Sequence, residues 1–473
     1  MRHAKILATL GPSSWHEDGI RTLIRAGVNG FRLNFSHGEH ARHLQTAQLV
    51  RQVAKEESIA IALLQDLQGP KIRVGDMLEP VSLNKGDTLV LDDDPTPGTA
   101  ERVCLPHPDI LAMLQVGDVL FVNDGLLRLE VTACSSTQAT CTVLNNAVLS
   151  SRKGINIPGR DLPCTALMDK DKKDLQFGLL DIEPDWIALS FVQRATDIAE
   201  ARDLIKQYRP DAHVKLMAKI ETAAAIDNIE SIIEATDGIM IARGDLGVEL
   251  PPEEIPPIQK KIIRLCRKAG KPVVVATQML ESMIQNPTPT RAEVTDIANA
   301  TYEGADCLML SAESAAGKYP AEAVEVMAKT IARVEKSSAW GPLVDARMPS
   351  PQPEVRDAIT AAACHTAETI QAAAIVTFTE TGGTALRVSR WRPSHPVYCL
   401  TPYPHIAQQL GIVWGVKACY SPHATSEDHM VQLTQETAQK NGLTADDGQL
   451  VVTAGVPFGQ SGTTNILRVV DVG

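Results

Sequence analysis

Basic blocks, paired cysteine spacings and long apolar runs are all missing from this chain of 473 residues. Lys and Arg number 45 against 57 Asp and Glu, a formal net charge of −12. With no basic block to relieve that balance, nucleic acid and anionic membrane are not expected partners. No run of about 18 apolar residues occurs, so no membrane-spanning helix is expected. Met1 to Lys5 leads directly into the strand-like Ile6 to Leu10 without an apolar signal core, which argues against a secretory leader. The nine cysteines, at 104, 134, 141, 164, 266, 307, 364, 399 and 419, are odd in number, scattered and free of CxxC spacing. Reduced thiols in the cytoplasm are the expectation.

What remains is ordinary globular material. A hydrophobic fraction of 44% with 22% charged residues excludes wholesale disorder. At roughly 150 residues per domain the length allows about three domains and a large core.

Short apolar runs of strand length recur, separated by helix-compatible stretches: Ile6 to Leu10, Phe31 to Ser36, Ile59 to Leu67, Trp186 to Phe191, Val214 to Glu221, Gly238 to Ala242, Pro272 to Gln278 and Cys307 to Ser311. Eight β/α alternations with polar strand ends predict an α/β fold built on a closed (β/α)8 barrel, with an open doubly wound sheet as the rival. The gap between the third and fourth runs exceeds what one crossover helix needs. It reads as β, with Thr88 to Leu91, Val119 to Val122, Leu126 to Thr132 and Thr140 to Leu144, and Asn123-Asp124-Gly125 as a hairpin turn. Trp340 to Pro353 holds four prolines and few large apolar residues, the composition of a linker. Beyond it an Ala-rich helix precedes strands at Ile375 to Phe378, Pro396 to Leu400, Leu450 to Thr453 and Ile466 to Val472. The expected layout is a barrel from 1–69 and 166–338, an inserted β lid at 70–165, a linker at 339–353 and a C-terminal α/β domain at 354–473.

The chemistry collects at strand ends. Period-2 geometry puts Arg32, Asn34 and Ser36 on one face of the second strand, where an edge strand with a solvated face is the bland alternative. Lys219 and Glu221 share a face at the end of the fifth strand, where barrel enzymes place catalytic groups. Asp245, in Ala242-Arg243-Gly244-Asp245-Leu246-Gly247, takes the equivalent place one strand on. Glu221 and Asp245 together can share a divalent cation. Two carboxylates are few for Ca²⁺ but suit Mg²⁺, which keeps waters and takes substrate oxygens. Zinc lacks candidates, since no His or Cys sits at a strand end. Lys219 beside such a metal is a fixed positive charge where phosphate-like charge moves. Thr277-Gln278 and the stretch Gln65 to Arg73 add further polar ends, so that six of the eight strands carry them. Separately, Gly382 and Gly383, flanked by Thr379, Thr381 and Thr384 ahead of a helix-like segment, read as a phosphate cradle, with a plain Gly-rich turn as the alternative.

Leu216-Met217-Ala218-Lys219-Ile220-Glu221-Thr222 closely resembles the signature of pyruvate kinases. Thr9 to Ser14, Phe31 to Gly38, Asp66 to Arg73, Ala242 to Gly247, Ala276 to Met283 and Thr290 to Ala300 extend the resemblance in order over nearly the whole chain. It implies a catalytic barrel, a mobile β lid and a regulatory α/β domain, assembled as a homotetramer. The implied reaction is phosphoryl transfer from phosphoenolpyruvate to ADP, giving pyruvate and ATP, with Mg²⁺ (or Mn²⁺) as cofactor. By resemblance Lys219 stabilises the phosphoryl group and the enolate oxygen, Arg32 binds phosphate, and Glu221 and Asp245 are the metal ligands. Thr277 is a substrate-site threonine near the protonation face, and the backbone of Gly244 and Asp245 cradles the substrate carboxylate. Asn34, His37, Arg73 and the lid residue Lys153 resemble nucleotide-side groups, although His37 alone reads more simply as a helix cap.

The resemblance also implies a monovalent-cation site of Asn34, Ser36, Asp66 and the carbonyl of Leu67. Position 71, a glutamate in K⁺-dependent members, is Lys71 here. A tethered ammonium there makes K⁺ dispensable, unless Lys71 points to solvent. The loop Thr379 to Thr384 matches the family's effector site. Glu380 within it favours a sugar monophosphate or AMP over a bisphosphate. Two other classes fit parts of the pattern: a Mg²⁺-dependent pyruvate lyase or aldolase on the same barrel, and a catalytically silent sugar-phosphate sensor.

Overall fold

The computed structural model describes every residue except Met1, Asp124, Asp161, Leu162, Cys164, 444–447, Ser461 and Gly473. Asp124 of the expected hairpin turn and Cys164 of the nine cysteines therefore lie outside the described residues. The eight described cysteines are all free.

Eight parallel strands close into a barrel in chain order: β1 (Lys5–Thr9), β2 (Gly30–Asn34), β3 (Ala62–Asp66), β4 (Trp186–Leu189), β5 (Lys215–Ile220), β6 (Gly238–Ala242), β7 (Val273–Ala276) and β8 (Cys307–Leu310). β8 pairs back onto β1, with Lys5 opposite Cys307 and Ala8 opposite Leu310, which removes the open-sheet alternative. These strands are aliphatic on both faces because both are covered. Leu7, Leu64, Met217, Met240, Val274 and Met309 fill the interior, while Ile6, Leu63, Ile187, Ile239 and Val275 pack outward against the helices. A closed barrel has no edge, so the polar face of β2 is not a solvated edge.

Between β3 and β4 a six-stranded sheet and a separate two-stranded one, Val81–Leu83 with Ala147–Leu149, fold around their own core, including Leu89, Leu120, Leu129 and Val143. The four expected strands are present as Thr88–Asp92, Val119–Val122, Leu127–Cys134 and Gln138–Val143. Val81–Leu83, Arg102–Cys104, Ala147–Leu149 and Ile155–Asn156 were not anticipated. At two or three residues each, they are too short to show a period. The two passes into this lid zip together: Ile155 N donates to Ile72 O at 2.9 Å and Val74 N to Lys153 O at 2.9 Å.

The segment expected as a linker begins instead as a helix, Trp340–Asp345. Pro342 falls in its first turn, where the missing N–H costs nothing, and the other three prolines follow the helix. Trp340 packs where the barrel meets the C-terminal domain, 6.4 Å from Trp414 of that domain and 6.4 Å from Tyr302 of the barrel between ring centroids.

The C-terminal domain is one sheet in the order β11-β10-β9-β12-β13, with β9 (Ala374–Phe378), β10 (Val397–Thr401), β11 (Val416–Tyr420), β12 (Gln449–Gly455) and β13 (Thr464–Asp471). Only β13 runs antiparallel to its neighbour. β11 was not anticipated: it is an edge strand in which only Val416 is buried and the burial shows no alternation. Among the described residues no helix is long and apolar enough to cross a membrane.

Candidate active site

The C-terminal ends of β2 to β7 bring the polar residues together at one mouth. Because side chains alternate, Lys219 follows Met217 into the barrel at the end of β5. Its ammonium lies 2.6 Å from Ser190 Oγ, 3.0 Å from Glu221 Oε1 and 3.3 Å from Asp66 Oδ1. Asp66, at the end of β3, is also held by Arg32 Nε at 2.6 Å, and Arg32 Nη1 donates to Thr9 Oγ1 at 3.1 Å. Lys219 is only 8% exposed, and Asp66 and Glu221 are each 1% exposed, so these charges interact with little screening.

Burial disfavours the ammonium, yet Asp66 and Glu221 outweigh it and hold Lys219 at about 12. Burial likewise opposes the Asp66 carboxylate, but Lys219 and Arg32 bring it below its ordinary value. Glu221 goes the other way. Burial, and after it the neighbouring Asp245 carboxylate, raise it to about 7 against the pull of Lys219 and of the Phe191 N–H that Oε2 accepts at 2.7 Å. Glu221 and Asp245 thus form a like-charged pair that a cation would relieve.

Thr277 closes the other side. Its hydroxyl accepts the Gly244 N–H at 2.8 Å and donates to Ala276 O at 2.6 Å. Thr277 and Gln278 both sit at positive φ, +70° and +55°, and so does Phe191 at +53° after β4. For a β-branched residue this is strain, and strain at a strand end marks a functional position. Arg243 holds it: Nη2 donates to Thr277 O at 2.7 Å while Nη1 pairs with Asp296 at 2.8 Å.

A cleft opens between barrel and lid, and none of the expected nucleotide-side residues Asn34, His37, Arg73 and Lys153 is among its lining residues. Lys71, Asn156, Phe191, Thr222, Asp245 and Glu249 line it. Asn156 Nδ2 reaches Glu249 Oε1 at 3.2 Å across the two bodies. Arg73 and Gly154 face each other as bridge partners, which places Arg73 and Lys153 at the lid's base. Lys71 is half-buried and lines the cleft beside Gly154. His37 is exposed, and the helix His40–Glu56 takes Glu39 at its N-cap without a side-chain bond, so His37 caps nothing. Of the expected monovalent-cation ligands, three already accept internal bonds: Asn34 Oδ1 from Ser36 N, the Leu67 carbonyl from Ser190 Oγ, and Asp66 from Arg32 and Lys219.

Glu221 and Asp245 offer oxygen donors only, which fits a hard divalent cation that completes its shell with water and substrate oxygens. Among the described residues no group of three or more His, Cys, Asp or Glu stands ready to hold an ion, which a structural zinc site would need.

The loop Thr379 to Thr384 lies apart, in the C-terminal domain, where Gly383 opens the helix Gly383–Arg390. Thr379 Oγ1 accepts the Gly382 N–H at 2.9 Å, and Thr384 bonds Thr464 at 2.7 Å. The loop, with Thr381, borders a cavity of about 220 Å³ whose wall also contains Arg356, Arg387 and His423. His423 Nδ1 lies 3.4 Å from Glu380.

Sequence reasoning missed Ser190, Arg243, Arg356 and Arg387. Ser190 was the most legible, a polar residue ending a strand like its neighbours. The arginines reach their sites only through tertiary folding.

Comparison with known proteins completes the picture. Residues 1–324 match the model of the pyruvate kinase barrel domain, and residues 357–470 that of the pyruvate kinase alpha/beta domain. A pyruvate kinase of Agrobacterium vitis is 44% identical over 474 residues, covering 100% of this chain and 97% of that protein. One from Methylorubrum extorquens is 43% identical over 99% and 97%, and one from Geobacillus stearothermophilus 41% identical over 99% and 80%. The crystal structure of a pyruvate kinase from Cryptosporidium parvum superposes with a TM-score of 0.94 at 35% identity, covering 100% of this chain and 96% of that one. In sequence and in architecture alike, barrel, inserted lid and C-terminal sheet, the chain belongs to the pyruvate kinase family.

Proposed function

We propose that Lys219, Arg32, Glu221, Asp245 and Thr277 carry the transfer of a phosphoryl group from phosphoenolpyruvate to ADP, giving pyruvate and ATP. The observation that supports this most is the buried ammonium of Lys219 at the barrel mouth, held between Asp66, Glu221 and Ser190. In the transfer the bond from phosphorus to the enol oxygen breaks and a bond to a β-phosphate oxygen of ADP forms. Lys219 and Arg32 face charge that moves between those oxygens, and their preorganised positions need no rearrangement. Asp66 orients both cations. The released enolate takes a proton at its terminal carbon, on the face where the Thr277 hydroxyl lies, directly or through a water. A divalent cation belongs to the family's chemistry, and here Glu221 and Asp245 would hold Mg²⁺, or Mn²⁺ in its place, neutralising phosphate charge.

Asn34, His37, Arg73 and Lys153 fall to the nucleotide side, and the lid keeps water out. Lys71, half-buried in the cleft beside Asp245, supplies the charge that K⁺ would otherwise bring, so K⁺ is not required. Activity in K⁺-free and Na⁺-free buffer should be nearly full, and Lys71→Glu should acquire K⁺ dependence. Activation of the wild type by more than about tenfold on adding K⁺ at constant ionic strength contradicts this. The Thr379 to Thr384 cavity takes a phosphorylated activator. Arg356 and Arg387 attract its phosphate, while Glu380 keeps a monophosphate or AMP ahead of a bisphosphate. A cytoplasmic homotetramer fits the free thiols and the family.

The family assignment favours neither the lyase nor the silent sensor. The test is a coupled assay with phosphoenolpyruvate, ADP and Mg²⁺, with and without EDTA. Metal-dependent ATP production supports the reading, and pyruvate formation without ATP refutes it.

A further inference from the structure

At the end of the barrel away from its mouth, the helix Ile255–Ala269 runs toward the start of β7 and passes Glu303, the last residue of the helix Arg291–Glu303, at Gln259 and Lys260. Between these helices and the chain at 346–347 lies a cavity of about 330 Å³ lined by Lys260, Lys261, Arg264, Arg267, Glu303 and Arg347. Five cations in one hollow reverse the sign of a chain that carries −12 overall. Among the described residues only Lys260 finds an acid there, Glu303 at 3.7 Å, and that carboxylate also accepts from Gln259 at 2.7 Å. Arg347 uses Nη1 on the Tyr302 carbonyl at 2.6 Å. Among the described residues Lys261, Arg264 and Arg267 have no ion pair at all.

Arg267 is the telling member. It is only 4% exposed, its Nε has no hydrogen-bond partner, and Nη2 makes one long bond, 3.3 Å, to the Arg390 carbonyl. Burial, and then the like charge of Arg392, pull its proton affinity down to about 9. A buried cation with an orphan donor is costly until an acceptor arrives. The dipole of the helix C-terminus accounts for an arginine in its last turn but not for Lys260 and Lys261 two turns earlier.

We propose that this cavity binds a compact bisphosphate. Lys261, Arg264, Arg267 and Arg347 together match the three or four negative charges of two phosphoryl groups, and guanidinium forks suit phosphate oxygens. The lining has no aromatic ring to stack a base, which disfavours a nucleotide. The site is separate from both the catalytic mouth and the Thr379 to Thr384 cavity.

Calorimetric titration of the whole protein with inorganic pyrophosphate in Mg²⁺-free buffer tests it, with inorganic phosphate and citrate in parallel. The Lys261→Ser, Arg264→Ser double variant changes two exposed side chains and should fold. Pyrophosphate should bind it at least about tenfold more weakly than the wild type, as the loss of two charge-assisted contacts implies. Arg387→Ser, in the other cavity, should leave that component of binding intact, and phosphate and citrate should bind more weakly than pyrophosphate. Equal pyrophosphate affinity in the double variant and the wild type overturns the proposal, as does tighter binding of citrate. Light scattering on both proteins guards against the other occupant: dissociation of the double variant, with no pyrophosphate binding by the wild type, means that a second copy of the chain fills the hollow.

Discussion

Lys219 sits among two carboxylates that pull in opposite directions. Asp66 is kept ionised by Lys219 and Arg32, whereas burial and Asp245 push Glu221 up. One carboxylate is therefore committed to orienting the cations, and the other is the one that gains from a metal. The residues that carry these charges were legible because a polar side chain ending an otherwise apolar strand is conspicuous. Arg243 was not, since nothing in its sequence neighbourhood reveals that it reaches the Thr277 carbonyl and Asp296. It acts by holding Thr277 in a conformation that a β-branched residue resists. Arg243→Lys keeps the charge but loses the two-armed grip. We expect kcat to fall by about tenfold or more, with KM for phosphoenolpyruvate changed less, as misplacing a reacting group implies. If Arg243 merely stabilised the fold, Tm would fall and kcat would stay.

The barrel elements could be read from the sequence because parallel strands covered on both faces become continuous aliphatic runs. The lid strand Leu127–Cys134 could be read for the opposite reason, its alternating burial. What could not be read were strands of two or three residues, the edge strand Val416–Tyr420 with its non-alternating burial, and contacts made between elements. Gly178 is one such contact. It opens a single π-turn, Gly178–Ile182, beside β3, and a Cβ there would lie 1.9 Å from Gln65 Oε1. Gln65 cannot easily withdraw, because Nε2 donates to Asp174 O at 2.8 Å in a buried setting. Gly178→Ala should cost about 1–3 kcal/mol as overpacking, seen as a lower Tm in scanning calorimetry. Because Gln65 adjoins Asp66, activity should fall as well. An unchanged Tm would show that the turn absorbs the methyl group.

For the molecule as a whole, the barrel and the C-terminal domain are joined by buried charge. Asp306 lies 3.0 Å from Arg392 and accepts the N–H groups of Trp414 at 3.3 Å and Val273 at 3.1 Å. The Arg392 side chain is 1% exposed. Asp306→Ala strands that guanidinium and should cost about 3–5 kcal/mol, lowering Tm, while Asp306→Ala combined with Arg392→Leu should recover part of the loss. Failure of the double variant to recover would place the damage in the lost backbone contacts instead. The three-part layout was readable from run lengths and composition, but this junction was not, because it joins residues far apart in the chain. The central claim, that the Lys219 ammonium serves the moving phosphoryl group, is tested most directly by Lys219→Met. Its side chain is buried between Asp66 and Glu221, so the variant should also lose stability, and turnover must be compared at a temperature where calorimetry shows both proteins folded. The account predicts phosphoryl transfer from phosphoenolpyruvate to ADP reduced by roughly 10² to 10³ or more; folded Lys219→Met protein that keeps more than about a tenth of wild-type turnover would contradict it.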